Sequence, residues 1–162
     1  MTDHPNNAES ARRAALLLLG RRDFCSYELR AKLAAKGYAS EAIDEAVEAL
    51  SAERLLDDRR FLENFVRAHT GRGQGPARLR QELRQLGFGG EPIEEALAAG
   101  PDFVALCREV KVRKFGAGVP KSWADKGKQA RFLQYRGFSS DHIRLAMGQD
   151  PDAIENPADD ND

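Results

Sequence analysis

The sequence predicts an all-α fold of three tandem three-helix modules at a period of 50 residues, stacked as an elongated array that can curve. Three observations carry this expectation. First, Leu33-x-x-x-Gly37-Tyr38 recurs as Leu83-x-x-x-Gly87-Phe88 and as Leu133-x-x-x-Gly137-Phe138. Second, each copy is followed at the same offset by Ile, Ala and an apolar residue: Ile43, Ala46 and Val47, then Ile93, Ala96 and Leu97, then Ile143, Ala146 and Met147. Third, no run of alternating polar and apolar residues argues for a strand.

Each module reads as helix, then helix, turn, helix. Upstream helices are expected at Arg12 to Leu19, Phe61 to Ala68 and Phe103 to Phe115, the last with Phe103, Leu106, Cys107 and Val110 on one face. The repeated Leu then lies four residues before a Gly that can take the left-handed conformation ending a helix, and the aromatic after it folds back on the last turn. Ser40, Gly90 and Ser140 stand where the next helix needs an N-cap, and the Ile, Ala and apolar residues at i, i+3 and i+4 form one buried stripe. Pro92 suits the start of its helix. Gly71-Arg-Gly-Gln-Gly75-Pro76 and Gly116-Ala-Gly-Val-Pro120 read as flexible turns, and Ser122-x-x-Asp125 as a capping box with Asp in place of Glu. The expected divisions are a disordered 1–9, modules at 10–58, 59–100 and 101–148, and a disordered acidic tail at 149–162. Modules this small bury little core alone, so neighbours are expected to stack.

Composition narrows the function. The chain is 41% apolar and 31% charged, which fits a soluble protein rich in surface helix. Its longest apolar run, Ala14 to Leu19, is far short of a membrane span. No basic region leads into a long apolar segment at the start, so a cytoplasmic protein is expected. Cys25 and Cys107 lack nearby His partners, so neither a disulfide framework nor a zinc site is implied, and Cys107 reads as core.

The net charge of −1 conceals an asymmetry. Residues 1–58 carry 8 basic and 11 acidic side chains, 59–100 carry 7 and 5, 101–148 carry 10 and 4, and 149–162 carry 0 and 6. A basic body can therefore present positive potential that its own acidic tail offsets, and the tail is expected to be autoinhibitory toward an anionic partner.

Little in the chain assembles a catalytic site, and no catalytic residue, metal site or cofactor is expected. Gly71, Gly73 and Gly75 are followed by no Lys-Ser/Thr and preceded by no strand, so a hinge is the better reading than a phosphate loop. His4, His69 and His142 have no metal-ligand spacing. Asp57-Asp58 fits favourable charge at a helix N-terminus better than acid–base chemistry or a small hydrolase. The basic residues say more. Lys128, Arg131 and Tyr135 fall at i, i+3 and i+7, away from Leu133, and Arg80 and Arg84 point away from Leu79, Leu83 and Leu86. Lys111, Arg113 and Lys114, with Arg72 and Lys121 in the Gly-rich turns, add mobile positive charge. The pattern suits phosphate backbones or an acidic protein surface, and equally a solvated face. Three near-equivalent modules leave no single recognition helix for reading a base sequence.

These residues also carry a family resemblance. Leu55-Leu-Asp-Asp-Arg-Arg-Phe61, Gly73-Gln-Gly75-Pro76 followed by Arg78 to Leu83, Lys114-Phe-Gly116, and Arg131-Phe-Leu-Gln-Tyr-Arg-Gly-Phe-Ser139 resemble RecX, the bacterial regulator of the RecA recombinase, over roughly residues 10–148. The resemblance implies tandem three-helix repeats and a non-enzymatic inhibitor. Such a protein binds the RecA filament on DNA, lodges along its groove, blocks extension and reduces ATP hydrolysis, strand exchange and coprotease activity, as part of the control of DNA repair and the SOS response. It assigns scaffold roles to Asp58, Phe61, Gly75 and Gly137. Leu62, where relatives often have Ala, and the acidic tail depart from the pattern. Helix geometry and charge, rather than the family, single out Arg72, Arg80, Arg84, Lys111, Arg113, Lys114, Lys128, Arg131 and Tyr135 as contacts for RecA or DNA. The alternative is an autonomous helical protein that binds single- or double-stranded DNA and acts by competition. In either case a monomer is expected.

Overall fold

The structure, a computed structural model, describes residues 6–148. Among these residues nine helices occur and no strand. They are α1 (Ala8–Leu19), α2 (Ser26–Ala35), α3 (Ser40–Ala52), α4 (Asp58–Gly71), α5 (Pro76–Gln85), α6 (Gly90–Ala98), α7 (Phe103–Phe115), α8 (Trp123–Tyr135) and α9 (Ser140–Ala146). The all-α repeat is therefore observed.

The repeated residues do what their chemistry requires. Leu33, Leu83 and Leu133 are fully buried, as are Ile43, Ile93 and Ile143 to within a few per cent. Gly37, Gly87 and Gly137 take φ of +94°, +84° and +99°, the left-handed region that a side chain disfavours. The amides of Tyr38 and Phe138 donate back to the carbonyls of Leu33 and Leu133, each at 3.2 Å. Those bonds close the last turn and carry the aromatic ring onto the helix it follows.

By packing, the chain divides into two compact units: one runs to Phe65 and includes Gln85–Phe88, and the other comprises Val66–Arg84 and resumes at Gly89. In the first, α1 packs on α3 with α2 against both. Its core joins Ala11, Ala15, Ala42 and Ala46 to Leu29, Leu33, Ile43, Val47 and Leu50; the small side chains let helix axes approach closely. The Tyr38 hydroxyl, buried in this core, donates to the Ser10 carbonyl at 3.3 Å and lies 3.1 Å from the Ser10 hydroxyl. In the second unit α7 packs on α9, and both contact α8. Cys107, Val110, Leu133, Phe138, Ile143, Ala146 and Met147 form that core.

Several boundaries differ from expectation. Helix α1 starts at Ala8 rather than Arg12, because the Asn7 side chain accepts from the amides of Glu9 and Ser10 and so fixes an earlier start. The expected disordered segment 1–9 thus fails at its end, where residues 8 and 9 are helical. Residues 1–5 and the acidic tail, with its expected autoinhibition, lie outside the described residues. Ser40, Gly90 and Ser140 are first helical residues, and the caps fall one position earlier, at Ala39, Gly89 and Ser139. Of the three only Ser139 caps with its side chain, accepting from His142 N at 3.2 Å.

Candidate partner-binding surface

Helix α8 is the element on which the expected contacts concentrate. Ser122 sets its start, its Oγ accepting from the Asp125 amide at 3.1 Å, and Gly137 ends it. Gln129 and Leu133 are buried, which fixes the rotation of the helix. On the far side Lys128, Arg131 and Tyr135 are exposed, Tyr135 at 81%. Among the described residues no carboxylate lies within salt-bridge distance of Lys128 or Arg131.

The neighbouring turn extends this surface. Gly75 N donates to Arg136 O at 2.7 Å, and Ala77 N donates to Gly137 O at 2.9 Å. A Cβ built on Gly75 would stand 2.4 Å from the Gly137 carbonyl carbon, so only Gly allows these backbones to meet. The 71–76 segment, expected as a flexible turn, is instead pinned by backbone hydrogen bonds to the end of α8. One consequence is that Arg136 Nη1 reaches the Arg72 carbonyl at 3.2 Å. The Arg136 guanidinium and the Lys114 ammonium both lie over the Phe132 ring, at 5.3 and 5.5 Å from its centroid, and Phe115 meets that ring edge-on at 5.3 Å. Lys128, Phe132 and Arg136 follow one another at i, i+4 and i+8, so Arg72, Lys114, Lys128, Arg131, Tyr135 and Arg136 form one cationic strip with aromatic rings set in it.

Other expected contacts are differently employed. Arg80 pairs with Glu94 through two hydrogen bonds, of 2.6 and 3.1 Å. That bond to Arg80 holds the Glu94 carboxyl below the usual carboxylate range, and Arg84 adds a smaller attraction. The positive charge of α5 is thus partly neutralised on the spot. Arg113 pairs with Glu109 one helical turn away, at 2.9 Å. Lys111 is a correction to the sequence reading: it is 4% exposed, and its Nζ donates to Gly118 O at 2.9 Å. It anchors the turn after α7 and has no ammonium to offer a partner.

Two features escaped the sequence reading. Arg136 is not among the expected contacts, although a basic residue precedes the repeat Gly in module one (Lys36) as it does here. Trp123 is 75% exposed, with Lys126 Nζ 4.9 Å from its ring centroid, at the opposite end of α8 from Tyr135. Its only sequence signal is a Trp directly after the capping Ser122.

Asp57 and Asp58 serve helix starts. Asp57 accepts from Arg60 N at 3.1 Å, and Asp58 accepts from Ser26 N at 2.7 Å, capping α2 from a distant part of the chain. Phe61 stacks on Phe65 and Phe88, with centroids 6.0 Å apart in each pair. Both carboxylates and the ring are thus parts of the scaffold. Among the described residues no group of three or more His, Cys, Asp or Glu side chains is arranged to hold a metal ion.

Comparison with known proteins agrees with this architecture. Family models described as the first, second and third three-helix domains of RecX match residues 11–50, 57–97 and 102–147. Regulatory protein RecX of Halorhodospira halophila is 47% identical over 140 residues, covering 86% of this chain and 87% of its own. Regulatory protein RecX of Vibrio vulnificus is 41% identical over 142 residues, covering 87% and 93%. The crystal structure of RecX from Lactobacillus salivarius superposes with a TM-score of 0.75 at 21% identity, over 88% of this chain and 95% of that one.

Proposed function

The chain belongs to the RecX family, and from that premise we propose that it is a negative regulator of RecA that binds the RecA–DNA filament. In this reading it blocks filament extension and lowers ATPase, strand-exchange and coprotease activity, acting in the cytoplasm as a monomer and without catalysis of its own. Family membership across all three modules is the observation that carries the reading. The strip on α8 supports it, because unpaired cations beside exposed aromatics suit a surface that meets phosphates or acidic side chains. Its contacts are Arg72, Lys114, Lys128, Arg131 and Tyr135, joined by Arg136; Arg84 and Arg113 are accessible beside their acidic neighbours, and Arg80 becomes available only by leaving Glu94.

A second reading is favoured by the same strip. Tyr135 flanked by Lys128 and Arg131 resembles the stacking-plus-phosphate pattern of proteins that bind single-stranded nucleic acid alone. One experiment separates the two: titrate the protein into RecA turning over ATP on single-stranded DNA, and measure binding to the bare DNA in the same buffer. Inhibition at concentrations too low to occupy the bare DNA is the expected result. Inhibition that tracks DNA occupancy would replace it with competition for DNA, and an unchanged ATPase at stoichiometric protein would overturn the RecA reading.

A further inference from the structure

Module one is the acidic module of the chain body, yet it holds a cationic pocket. Three of its arginines are neutralised locally: Arg12 by Glu53, Arg22 by Glu28 and Arg30 by Asp44. Three other cations, Arg13, Arg21 and Lys36, line a single cavity of about 550 Å³ together with Ser10, Ala14, Leu17, Leu18 and Tyr38. All three are exposed, and among the described residues none has a carboxylate within salt-bridge distance. Lys32 and Arg54 also lack such a carboxylate among the described residues, but Arg13, Arg21 and Lys36 share one concavity.

The apolar part of the lining decides between ligand classes. Arg13 and Leu17 stand at i and i+4 on α1, about 6 Å apart along the helix, and Arg21 follows two residues beyond the helix end, so Leu17 lines the cavity together with cations from the helix and from the turn after it. Leu17, 72% exposed, and Leu18 give this lining an apolar part beside the cations. A phosphodiester backbone would satisfy the cations and leave Leu17 facing polar oxygens. Nor is there a ring for a base to stack on, since Tyr38 is only 8% exposed and its hydroxyl is engaged with Ser10. A peptide with an apolar side chain between carboxylates satisfies both parts of the site. Carboxylates meet Arg in paired hydrogen bonds, and the apolar side chain covers Leu17 and Leu18.

We infer that this pocket is a second binding site, distinct in chemistry from the α8 strip, which takes an acidic peptide segment carrying an apolar side chain from a protein partner. It rests on the proposed regulatory role only in placing that segment on the filament protein rather than on DNA. Peptide recognition belongs to module one, and the strip of module three meets nucleic acid.

The test uses the full chain and a fluorescein-labelled Asp-Glu-Leu-Glu-Asp peptide at low salt, with a labelled oligothymidylate as the second probe. Arg13→Glu/Arg21→Glu is expected to weaken peptide binding at least tenfold, and Leu17→Ala at least threefold. Both should retain the wild-type circular dichroism and leave oligothymidylate affinity within twofold. Replacing the peptide's Leu by Gly should reproduce the Leu17→Ala loss. The inference is overturned if the wild-type chain does not bind the peptide, or if the double variant binds it as the wild type does. A parallel loss of oligothymidylate binding would make the pocket a nucleic-acid site and overturn it equally. In the RecA ATPase assay the double variant should need at least tenfold more protein for half inhibition. If the wild-type chain leaves that ATPase unchanged while the peptide results hold, the regulatory reading fails and the pocket stands.

Discussion

Gly75 and Gly137 bring two backbones into hydrogen-bond contact, and the geometry makes the outcome of a single methyl predictable. A Cβ on Gly75 would overlap the Gly137 carbonyl carbon at 2.4 Å, its oxygen at 2.5 Å and the Phe138 amide nitrogen at 2.5 Å, all main-chain atoms with no rotamer to yield. Gly75→Ala should therefore cost about 3 kcal/mol or more, at the upper end of overpacking, read as a lowered urea midpoint with unchanged slope. It should also displace Arg72 from Arg136 and weaken oligonucleotide binding in molecules that remain folded. The assignment of Gly75 and Gly137 to the scaffold was legible in the sequence, but not its cause, since the partner of Gly75 lies 62 residues away. Lys111 shows the opposite failure. One helical face holds Cys107, Val110 and Lys111 buried together, and a charged residue there reads as a surface residue until the turn carrying Gly118 folds back over it.

Among the elements, α8 carries a glycine in its interior, and the strip depends on this helix. Gly127 lies mid-helix without a positive φ, and a Cβ built there would approach only Arg131 Nη1, at 3.4 Å, the tip of a flexible side chain. Gly127→Ala should thus stabilise the protein by about 0.5–1 kcal/mol, the helix-propensity difference, read as a raised thermal midpoint. A fall would mean that the Arg131 side chain needs the space. The same change of Gly to Ala has opposite signs at 75 and 127 because one position faces backbone and the other only the end of a flexible side chain. Most elements are legible because the Leu, Gly, aromatic, Ile and Ala pattern marks where α2, α5 and α8 end and, to within one residue, where α3, α6 and α9 begin. Where the pattern is silent, in the first helices of modules one and two, the ends differ from expectation: α1 starts at Asn7's cap and α4 runs from Asp58 to Gly71, beyond the apolar core of its sequence, whereas α7 spans Phe103–Phe115 as expected. The one-residue offset of the caps has a simple origin. Ala39 and Gly89 offer no capping oxygen, so a reading that sought Ser moved one position on.

For the whole chain, a net charge of −1 says almost nothing about binding, because the charges are sorted by region. The strip lies in the span 101–148, with its 10 basic and 4 acidic residues, and Arg72 joins it from the adjoining module. Salt dependence tests whether that sorting is functional. Five cations, Arg72, Lys114, Lys128, Arg131 and Arg136, meeting five phosphates of a single strand predict a slope of roughly −3.5 for log affinity against log salt, at about 0.7 per phosphate. Lys128→Glu/Arg131→Glu should flatten the slope by about 1.4 or more and weaken binding most at low salt. Tyr135→Ala should weaken binding by about 1–3 kcal/mol, if a base stacks there, and leave the slope unchanged. A wild-type slope near zero would mean that the strip meets no phosphates, and a slope unaffected by the double charge reversal would place the nucleic-acid contact elsewhere on the chain. Measured with RecA filaments instead of bare DNA, the two variants separate electrostatic attraction to the strand from recognition of the protein that coats it. The first falls with salt in proportion to the cations removed, whereas recognition through the apolar and paired groups of the α1 pocket keeps part of its strength when the salt is raised.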